Sequence, residues 1–237
     1  MAWNSAWKPV PRRGKDGWWE THIENASAAV CSSSSTVLIG DSLVSNLERY
    51  RAVWFRHFDP LGALNLGIGG DSTQHVLWRI NNGEVPPNTQ VAIIHCGTNN
   101  LDRNAPDEIC RGIAGIVNAL KAKRVGIVVV VGLLPRGSPI SFYRRKIMVV
   151  NRLLGGWCRD RVDRGVHFLE PDADWTLPDG RLNKRLYWRD DLHLVREGCD
   201  KFAHAICSFI CNEVAVSQTA PACHSASLIH HPDTRTS

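Results

Sequence analysis

The sequence of 237 residues has no long apolar run and no apolar leader segment. A membrane-spanning helix needs about 18–20 consecutive apolar residues, whereas the longest run here, 127–134, is broken by Gly132 and has the length of a strand. Near the N-terminus, Lys8, Arg12 and Arg13 interrupt any stretch that could act as the apolar part of a signal peptide. We therefore expect no membrane span and a cytoplasmic location.

The eight cysteines include no C-x-x-C pair. Cys207 and Cys211 lie four residues apart on a predicted helix, but no histidine pattern nearby completes a zinc site, so reduced thiols are expected. The formal net charge is +5, which is too small and too scattered to indicate nucleic-acid binding. We interpret the basic run 144–146 as a solvated helix face rather than a phosphate-binding patch.

The two ends of the chain differ from its middle. Residues 1–30 are rich in tryptophan and charge without sustained periodicity, and a short polar stretch follows them. The C-terminal residues have a loop-like composition. Because the length suits one sizeable core, we divide the chain into an N-terminal arm (1–35), one domain (36–214) and a disordered tail (215–237).

Within the middle region, short apolar runs alternate with stretches of helical spacing. The runs lack polar alternation, which is typical of strands buried on both faces; they lie at 36–39, 63–66, 91–95, 125–133 and 166–169. A helix is predicted from Pro106, and another over 202–210, from apolar residues repeating every three or four positions. This alternation predicts right-handed βαβ units and a parallel sheet with helices on both faces.

Ligands bind such sheets outside the carboxyl ends of the strands. The first strand is followed by Gly40-Asp41-Ser42-Leu43. A serine on this turn raises its hydroxyl above the sheet edge, and its N–H, at the start of a helix, can donate to an oxyanion. An ordinary helix cap would use the same residue types, so this block alone leaves both interpretations open.

Two further strand ends carry groups that could bind an oxyanion. The second ends in a glycine-rich stretch, 65–71, which lets the backbone approach a ligand. Its spacing matches neither the P-loop nor the dinucleotide pattern, although a plain tight turn remains possible. The third ends in 97–100, where the Asn99 amide can donate without ionising; an Asx-turn is the alternative.

The last block, Asp190 to Leu194, precedes the final predicted helix. His193 could take a proton from Ser42, provided that a carboxylate fixes its tautomer. Either Asp190, three residues earlier, or Asp191 could do so, although a lone surface histidine is also possible. The joint occurrence of all four blocks at sheet-edge positions predicts a serine esterase.

The four blocks together resemble the GDSL or SGNH hydrolase superfamily, whose blocks supply serine, glycine, asparagine and histidine. The corresponding residues here are Ser42, Gly69, Asn99 and His193. The resemblance implies a flavodoxin-like α/β fold, a three-layer α/β/α sandwich around a central parallel five-stranded sheet.

One branch is more similar than the rest, the catalytic alpha subunits of platelet-activating factor acetylhydrolase type Ib. The similar stretches are 63–84, 97–100, 132–137 and 190–194, within a resemblance that extends over about 16–212. It implies hydrolysis of the sn-2 acetyl ester of platelet-activating factor, a carboxylic ester hydrolase without metal or cofactor. It also implies homo- or heterodimers that bind a WD40-repeat propeller regulatory subunit.

The resemblance also implies the role of each site residue. Ser42 would be the nucleophile, His193 the general base and Asp190 its orienting acid. The oxyanion hole and the acyl pocket would be formed by two further sets: Ser42, Gly69 and Asn99 for the hole, and Leu43, Thr98 and Leu192 for the pocket.

The chain departs from the branch at several positions. His95 and Cys96 replace an apolar and aromatic strand, Arg189 and Asp191 add charges beside the proposed triad, and the residues after 212 have no counterpart. We interpret His95 as a core or interface residue rather than a second base. Two alternatives remain open: an esterase for another small acetylated molecule, and a subunit that mainly binds the propeller protein.

Overall fold

The computed structural model describes residues 5–139 and 141–219, with side chains to residue 212. It contains one parallel sheet with the strand order β2-β1-β3-β4-β5. The strands are β1 (Thr36–Gly40), β2 (Leu64–Gly67), β3 (Val91–His95), β4 (Ile127–Val131) and β5 (Val166–Leu169). All five predicted strands are confirmed, in the predicted parallel arrangement.

Strand β4 is shorter than the predicted 125–133 because the backbone N–H groups at both ends of that run donate hydrogen bonds to groups outside the sheet. The Val125 N–H donates to the Leu120 carbonyl at the end of a helix, and the Leu133 N–H donates to the side chain of Asn151. The remaining five residues pair with β3 and β5.

Seven helices flank the sheet in the described residues. They are α1 (Trp18–Cys31), α2 (Ser42–Ser45), α3 (Arg51–His57), α4 (Thr73–Asn81), α5 (Pro106–Ala122), α6 (Phe142–Arg159) and α7 (Arg196–Thr219). The predicted helix start at Pro106 is confirmed, and 202–210 lies within α7. None of the described helices is long and apolar enough to cross a membrane.

Alternate residues of each strand enter two separate cores, which makes the molecule a three-layer sandwich. In β1, Val37 and Ile39 pack in the core shared with α4, α5 and α6. Leu38, between them, packs on the opposite face with residues of α2, α3 and α7. The alternation follows from the two-residue period of a strand and confirms the predicted fold class.

The N-terminal segment contains a helix that its sequence pattern did not predict. Trp18 of α1 is completely buried, stacks with His22, and lies 5.7 Å from the Trp78 ring of α4. Helix α1 is thus packed against α4. At the other end, α7 reaches Thr219, beyond the predicted start of the tail at 215; the rest of that prediction, 220–237, lies outside the described residues.

Three smaller predictions concern His95, the basic run 144–146 and the cysteines. His95 is buried beside Phe202, as expected for a core residue. The run 144–146 is only partly a solvated face, because the Lys146 ammonium donates to the carbonyls of Leu101 and Asn104 at 2.6 Å each. The seven cysteines within the described residues are free thiols.

Candidate active site

Ser42 lies on the turn between β1 and α2, above the carboxyl edge of the sheet. Gly40 is required before this turn, because a Cβ there would lie 2.1 Å from the His95 carbonyl oxygen of the neighbouring strand. Asp41 caps α2, its Oδ1 accepting from the Leu43 N–H at 3.0 Å. The turn leaves Ser42 as the first helical residue, half-buried, where backbone N–H groups have no partner within the helix.

The structure brings His193 to Ser42 from the loop before α7. The imidazole Nε2 lies 3.0 Å from Ser42 Oγ, and Nδ1 lies 2.6 Å from Asp190 Oδ2. Because the carboxylate accepts a hydrogen bond from Nδ1–H, Nε2 is left unprotonated and can accept the serine hydroxyl proton. The three side chains form a continuous hydrogen-bonded chain.

Asp190 rather than Asp191 contacts the histidine, which settles the alternative that the sequence left open. Its second oxygen accepts from the N–H groups of Leu192 and His193 at 3.1 and 3.0 Å. Asp191 adopts a left-handed backbone conformation, φ 58°, and its carboxylate pairs with Lys184.

The environment of Asp190 favours its charged form. Partial burial acts to raise the pKa of this carboxyl, but the hydrogen bond from His193 and the two backbone N–H donors outweigh it, and the pKa is lowered. A carboxylate that stays ionised can hold the imidazole in one tautomer and stabilise the imidazolium when it forms.

The glycine and asparagine blocks meet the serine turn at the same edge. A Cβ at Gly69 would lie 3.7 Å from the Ser42 Cβ, so the Gly69 backbone faces the serine. Asn99 lies in a 3-10 turn, and its Nδ2 donates to the Asp71 carbonyl at 2.9 Å. The amide keeps a second N–H, which is available to a ligand.

The three residues predicted for the acyl pocket have different surroundings. Leu43 is buried in the core on the α7 side, and Thr98 is buried next to Arg136, whose Nη1 donates to the Thr98 hydroxyl at 3.3 Å. Leu192 is half-buried between Asp190 and His193.

A buried ionic cluster behind the site was not predicted. Arg79 of α4 is fully buried and donates through Nε to Asp71 Oδ2 at 2.7 Å and through Nη1 to Glu84. Trp18 Nε1 donates to the other Asp71 oxygen at 2.8 Å. The sequence signal was present, since Arg79 follows Val76 at helical spacing and so lies on the buried face of α4.

Two other buried groups lie near the serine turn. Asp41 is fully buried, and burial, as the main cause, raises its pKa to about 7. His95 is also buried, and the loss of solvent lowers its pKa to about 4, although its contact with the Val131 carbonyl works the other way. His95 is therefore neutral at neutral pH and serves as a core residue.

Comparison with known proteins identifies the family. The GDSL-like Lipase/Acylhydrolase family matches residues 38–201. The chain is 36% identical to the platelet-activating factor acetylhydrolase IB subunit alpha1 of Rattus norvegicus, over 91% of this chain and 93% of the relative. It is 34% identical to the alpha2 subunit of Homo sapiens, over 80% and 81%.

A solved structure shows the same fold. The crystal structure of a GDSL-like lipase from Bacteroides thetaiotaomicron superimposes with a TM-score of 0.70 at 19% identity, covering 82% of this chain and 97% of the other. The family match and the two relatives above show that this protein belongs to the GDSL-like lipase/acylhydrolase family of ester hydrolases.

Proposed function

We propose that this chain is a serine esterase that hydrolyses the sn-2 acetyl ester of platelet-activating factor or of a related short-acyl lipid. The observation that carries the proposal is the chain of contacts from Ser42 Oγ to His193 Nε2, 3.0 Å, and from His193 Nδ1 to Asp190, 2.6 Å. The substrate class is supported by the names of relatives that are 34–36% identical over at least four-fifths of this chain.

In the first half-reaction, His193 Nε2 takes the proton of Ser42 as Oγ attacks the acetyl carbonyl carbon. The imidazolium that forms is stabilised by Asp190. When the tetrahedral intermediate collapses, the ester C–O bond breaks and the alcohol leaves with the proton from His193. The product bound to the enzyme is an acetyl-serine.

In the second half-reaction, water takes the place of the alcohol. His193 removes one proton from the water as its oxygen attacks the acetyl carbon, and acetic acid leaves as Ser42 regains a proton from His193. The acid then ionises to acetate and releases a proton to solvent. Charge and atoms balance with one water consumed per ester, and no cofactor enters the proposed reaction.

The negative charge on the tetrahedral oxygen needs donors already in place. We assign them to the backbone N–H groups of Ser42 and Gly69 and to the Asn99 amide, which the Asp71 carbonyl holds in position. Loss of one such donor in other serine hydrolases costs about 2.7–4 kcal/mol of transition-state stabilisation. The acyl group would lie against Leu43, Thr98 and Leu192, which present methyl groups suited to a short chain.

The names of the relatives describe subunits, which supports an assembly for this chain as well. We propose a homo- or heterodimer of catalytic subunits in the cytoplasm that binds a WD40-repeat propeller regulatory subunit. Sedimentation of the purified chain, followed by co-purification with the propeller subunit, tests this; a monomer that fails to bind the propeller contradicts it.

The decisive experiment measures acetate release from platelet-activating factor and from p-nitrophenyl acetate. Wild type is compared with Ser42→Ala and with Ser45→Ala, which removes a hydroxyl from the same helix. We expect release by the wild type and Ser45→Ala, and none above background by Ser42→Ala. Cleavage of p-nitrophenyl acetate alone would support the esterase activity and contradict the lipid substrate. Full activity of Ser42→Ala would contradict the assignment of Ser42 as the nucleophile.

Comparison of p-nitrophenyl acetate with the butyrate and octanoate esters tests the acyl group. We expect kcat/KM to fall with each increase in chain length, since a closed pocket rejects longer chains by steric overlap. Equal rates on all three esters would contradict a short-acyl pocket.

A further inference from the structure

The loop after β4 reaches two parts of the proposed active site. Strand β4 pairs with β3, so the residues that follow these two strands meet at the carboxyl edge of the sheet. At its start the loop is anchored to α6, because the Asn151 side chain accepts from the Leu133 N–H at 2.8 Å and donates to the Leu133 carbonyl at 2.9 Å. At its other end the Gly137 N–H donates to the Asp191 carbonyl at 3.3 Å. The loop is thus fixed between α6 and the loop that carries the triad histidine.

Between these two anchors, Arg136 is bound to Thr98. Its Nη1 donates to the Thr98 carbonyl oxygen and to the Thr98 hydroxyl oxygen, at 3.3 Å each. Thr98 is buried, with 2% of its surface exposed, so its hydroxyl depends on protein partners rather than on solvent. Arg136 therefore supplies a hydrogen bond that a buried hydroxyl needs.

The guanidinium of Arg136 is itself held in place. Its Cζ lies 4.2 Å from the centre of the Tyr143 ring, a cation–π contact. The Tyr143 hydroxyl donates to Asp102 Oδ1 at 2.6 Å, so Tyr143 is bound to the same stretch of chain, 98–102, that Arg136 contacts. A guanidinium that contacts both a ring and two oxygens has little freedom to move.

The positive charge of Arg136 lies near the serine turn, but its hydrogen bonds are made to Thr98. The charge opposes the rise in the pKa of Asp41, whose main cause is burial. Within the described part of the chain, both side-chain hydrogen bonds of Arg136 are made to atoms of Thr98. The contact with Thr98 is therefore the one through which Arg136 can act on the proposed acyl pocket.

The orientation of Thr98 decides which group this residue presents to that pocket. Threonine carries a hydroxyl and a methyl group on the same Cβ, and rotation about χ1 moves both between staggered positions. Without its donor, the buried hydroxyl would rotate towards another partner, since an unpaired buried hydroxyl is unfavourable. Such a rotation replaces the methyl group at the pocket wall or moves it away.

We propose that Arg136 is a positioning residue that holds the Thr98 hydroxyl, so that the Thr98 methyl group faces the acyl pocket and restricts the enzyme to short acyl groups. The effect on acyl selectivity rests on the proposed function, whereas the hold on Thr98 does not. Arg136 itself contacts neither the acyl group nor the reacting atoms in this proposal.

The kinetic test compares kcat/KM for p-nitrophenyl acetate and p-nitrophenyl butyrate. The variant is Arg136→Gln, which is expected to fold because the Arg136 side chain is only half-buried. The control is Arg152→Gln, which removes the same charge from an exposed position on α6.

We expect wild type and Arg152→Gln to prefer the acetate by at least about tenfold, the discrimination that a pocket achieves against added methylene groups. In Arg136→Gln this ratio should fall about tenfold, close to no preference. A merely structural role would lower kcat/KM equally for both esters. An equal fall for both, or equal values for the two esters in the wild type, would overturn the proposal.

A double-mutant cycle tests whether Arg136 acts through the Thr98 hydroxyl. Thr98→Val replaces that hydroxyl with a methyl group of similar size, so no rotation can then bring a polar group to the pocket wall. In the Thr98→Val background, Arg136→Gln should change the acetate-to-butyrate ratio by no more than about twofold, the non-additivity expected of residues in contact. A full tenfold fall in that background would overturn the proposed route.

An NMR measurement tests the hold on Thr98 without any ester. In protein labelled with ¹³C at the threonine methyl groups, the Thr98 signal is assigned by its absence in Thr98→Val, and its three-bond couplings report χ1. We expect a single χ1 rotamer in wild type and Arg152→Gln, and averaging or a different rotamer in Arg136→Gln. Unchanged couplings in Arg136→Gln would overturn the proposal. A wild type that cleaves neither ester would contradict the proposed function, and this measurement would then decide the role of Arg136 alone.

Discussion

Arg79 Nη2 donates to the carbonyl oxygen of Gly40 at 3.0 Å, two residues before Ser42. Through Nη1 the same guanidinium donates to the Leu66 carbonyl at 2.9 Å, three residues before Gly69. One buried side chain thus holds the carboxyl ends of β1 and β2, the two strands that carry the proposed nucleophile and the glycine beside it. The site therefore depends on a residue of α4 that is remote from it in sequence.

Replacement of Arg79 is expected to weaken the fold. Arg79→Met removes the cation that pairs with two buried carboxylates and donates to two carbonyls, so the free energy of unfolding should fall by about 3–5 kcal/mol. Arg79→Lys keeps the charge but cannot reach four acceptors with its geometry, and a smaller loss is expected. Urea denaturation checks this, with Arg152→Met as the exposed control; an Arg79→Met variant as stable as wild type would contradict it.

Asp190 and Asp191 have different contacts, so we expect their replacement to have different effects on kcat. Asp190→Asn should lower kcat by a factor on the order of 10³–10⁴, because an amide can donate to Nδ1 and so favour the wrong imidazole tautomer. Asp191→Asn should leave kcat within about twofold, since that carboxylate pairs with Lys184 and surface pairs contribute little. Steady-state kinetics on p-nitrophenyl acetate measures both; equal losses in the two variants would refute the assignment.

The glycines of the site differ in what an added methyl group would meet. Gly40→Ala would place Cβ against the His95 carbonyl at 2.1 Å, and backbone cannot move aside without breaking the β1–β3 pairing, so loss of the folded protein is expected. In Gly69→Ala the nearest atoms are at 3.6 and 3.7 Å, ordinary contact distances, and a thermal unfolding midpoint close to that of wild type is expected. Thermal unfolding monitored by circular dichroism distinguishes the two, and a folded Gly40→Ala protein would show that the strands can separate there.

The sheet and the four blocks could be predicted because they depend on local patterns. Strands buried on both faces give continuous apolar runs, and parallel connectivity brings their carboxyl ends to one edge. The proximity of Ser42 and His193, separated by 151 positions, then follows from topology. The choice between Asp190 and Asp191 could not be predicted, because it depends on the left-handed turn at Asp191.

Helix α1 could not be predicted because its buried face is not apolar in the usual sense. Its buried residues include His22, which pairs with Glu84, while Ile23 and Val30 are exposed, at 60% and 78%. Because a polar residue is buried and apolar residues are exposed, the sequence lacks the apolar periodicity that indicates a helix. The helical spacing from Val76 places Arg79 on the buried face of α4, but the sequence does not show that Asp71 and Glu84 lie there to pair with it.

Asp41 is expected to make stability depend on pH. Burial raises the pKa of this carboxyl from 3.8 to about 7, and Asp71 adds to the shift, while the Leu43 N–H, Arg136 and Arg79 oppose it. In the unfolded chain the carboxyl ionises near its ordinary pKa, whereas the folded protein keeps the proton up to about pH 7. The unfolded state therefore binds fewer protons between about pH 4 and 7, and the free energy of unfolding should decrease as pH rises through that range.

Asp41→Asn isolates this contribution, because a neutral amide of the same shape can still accept from the Leu43 N–H through its oxygen. Relative to this variant, wild type should lose up to about 4 kcal/mol between pH 4 and 7 and no more above it. Urea denaturation of both proteins at half-unit steps of pH gives the difference directly. A stability difference between the two proteins that does not change across this pH range would mean that Asp41 is ionised in the folded protein. Its Oδ2, which has no hydrogen-bond partner among the described residues, would then accept from an internal water.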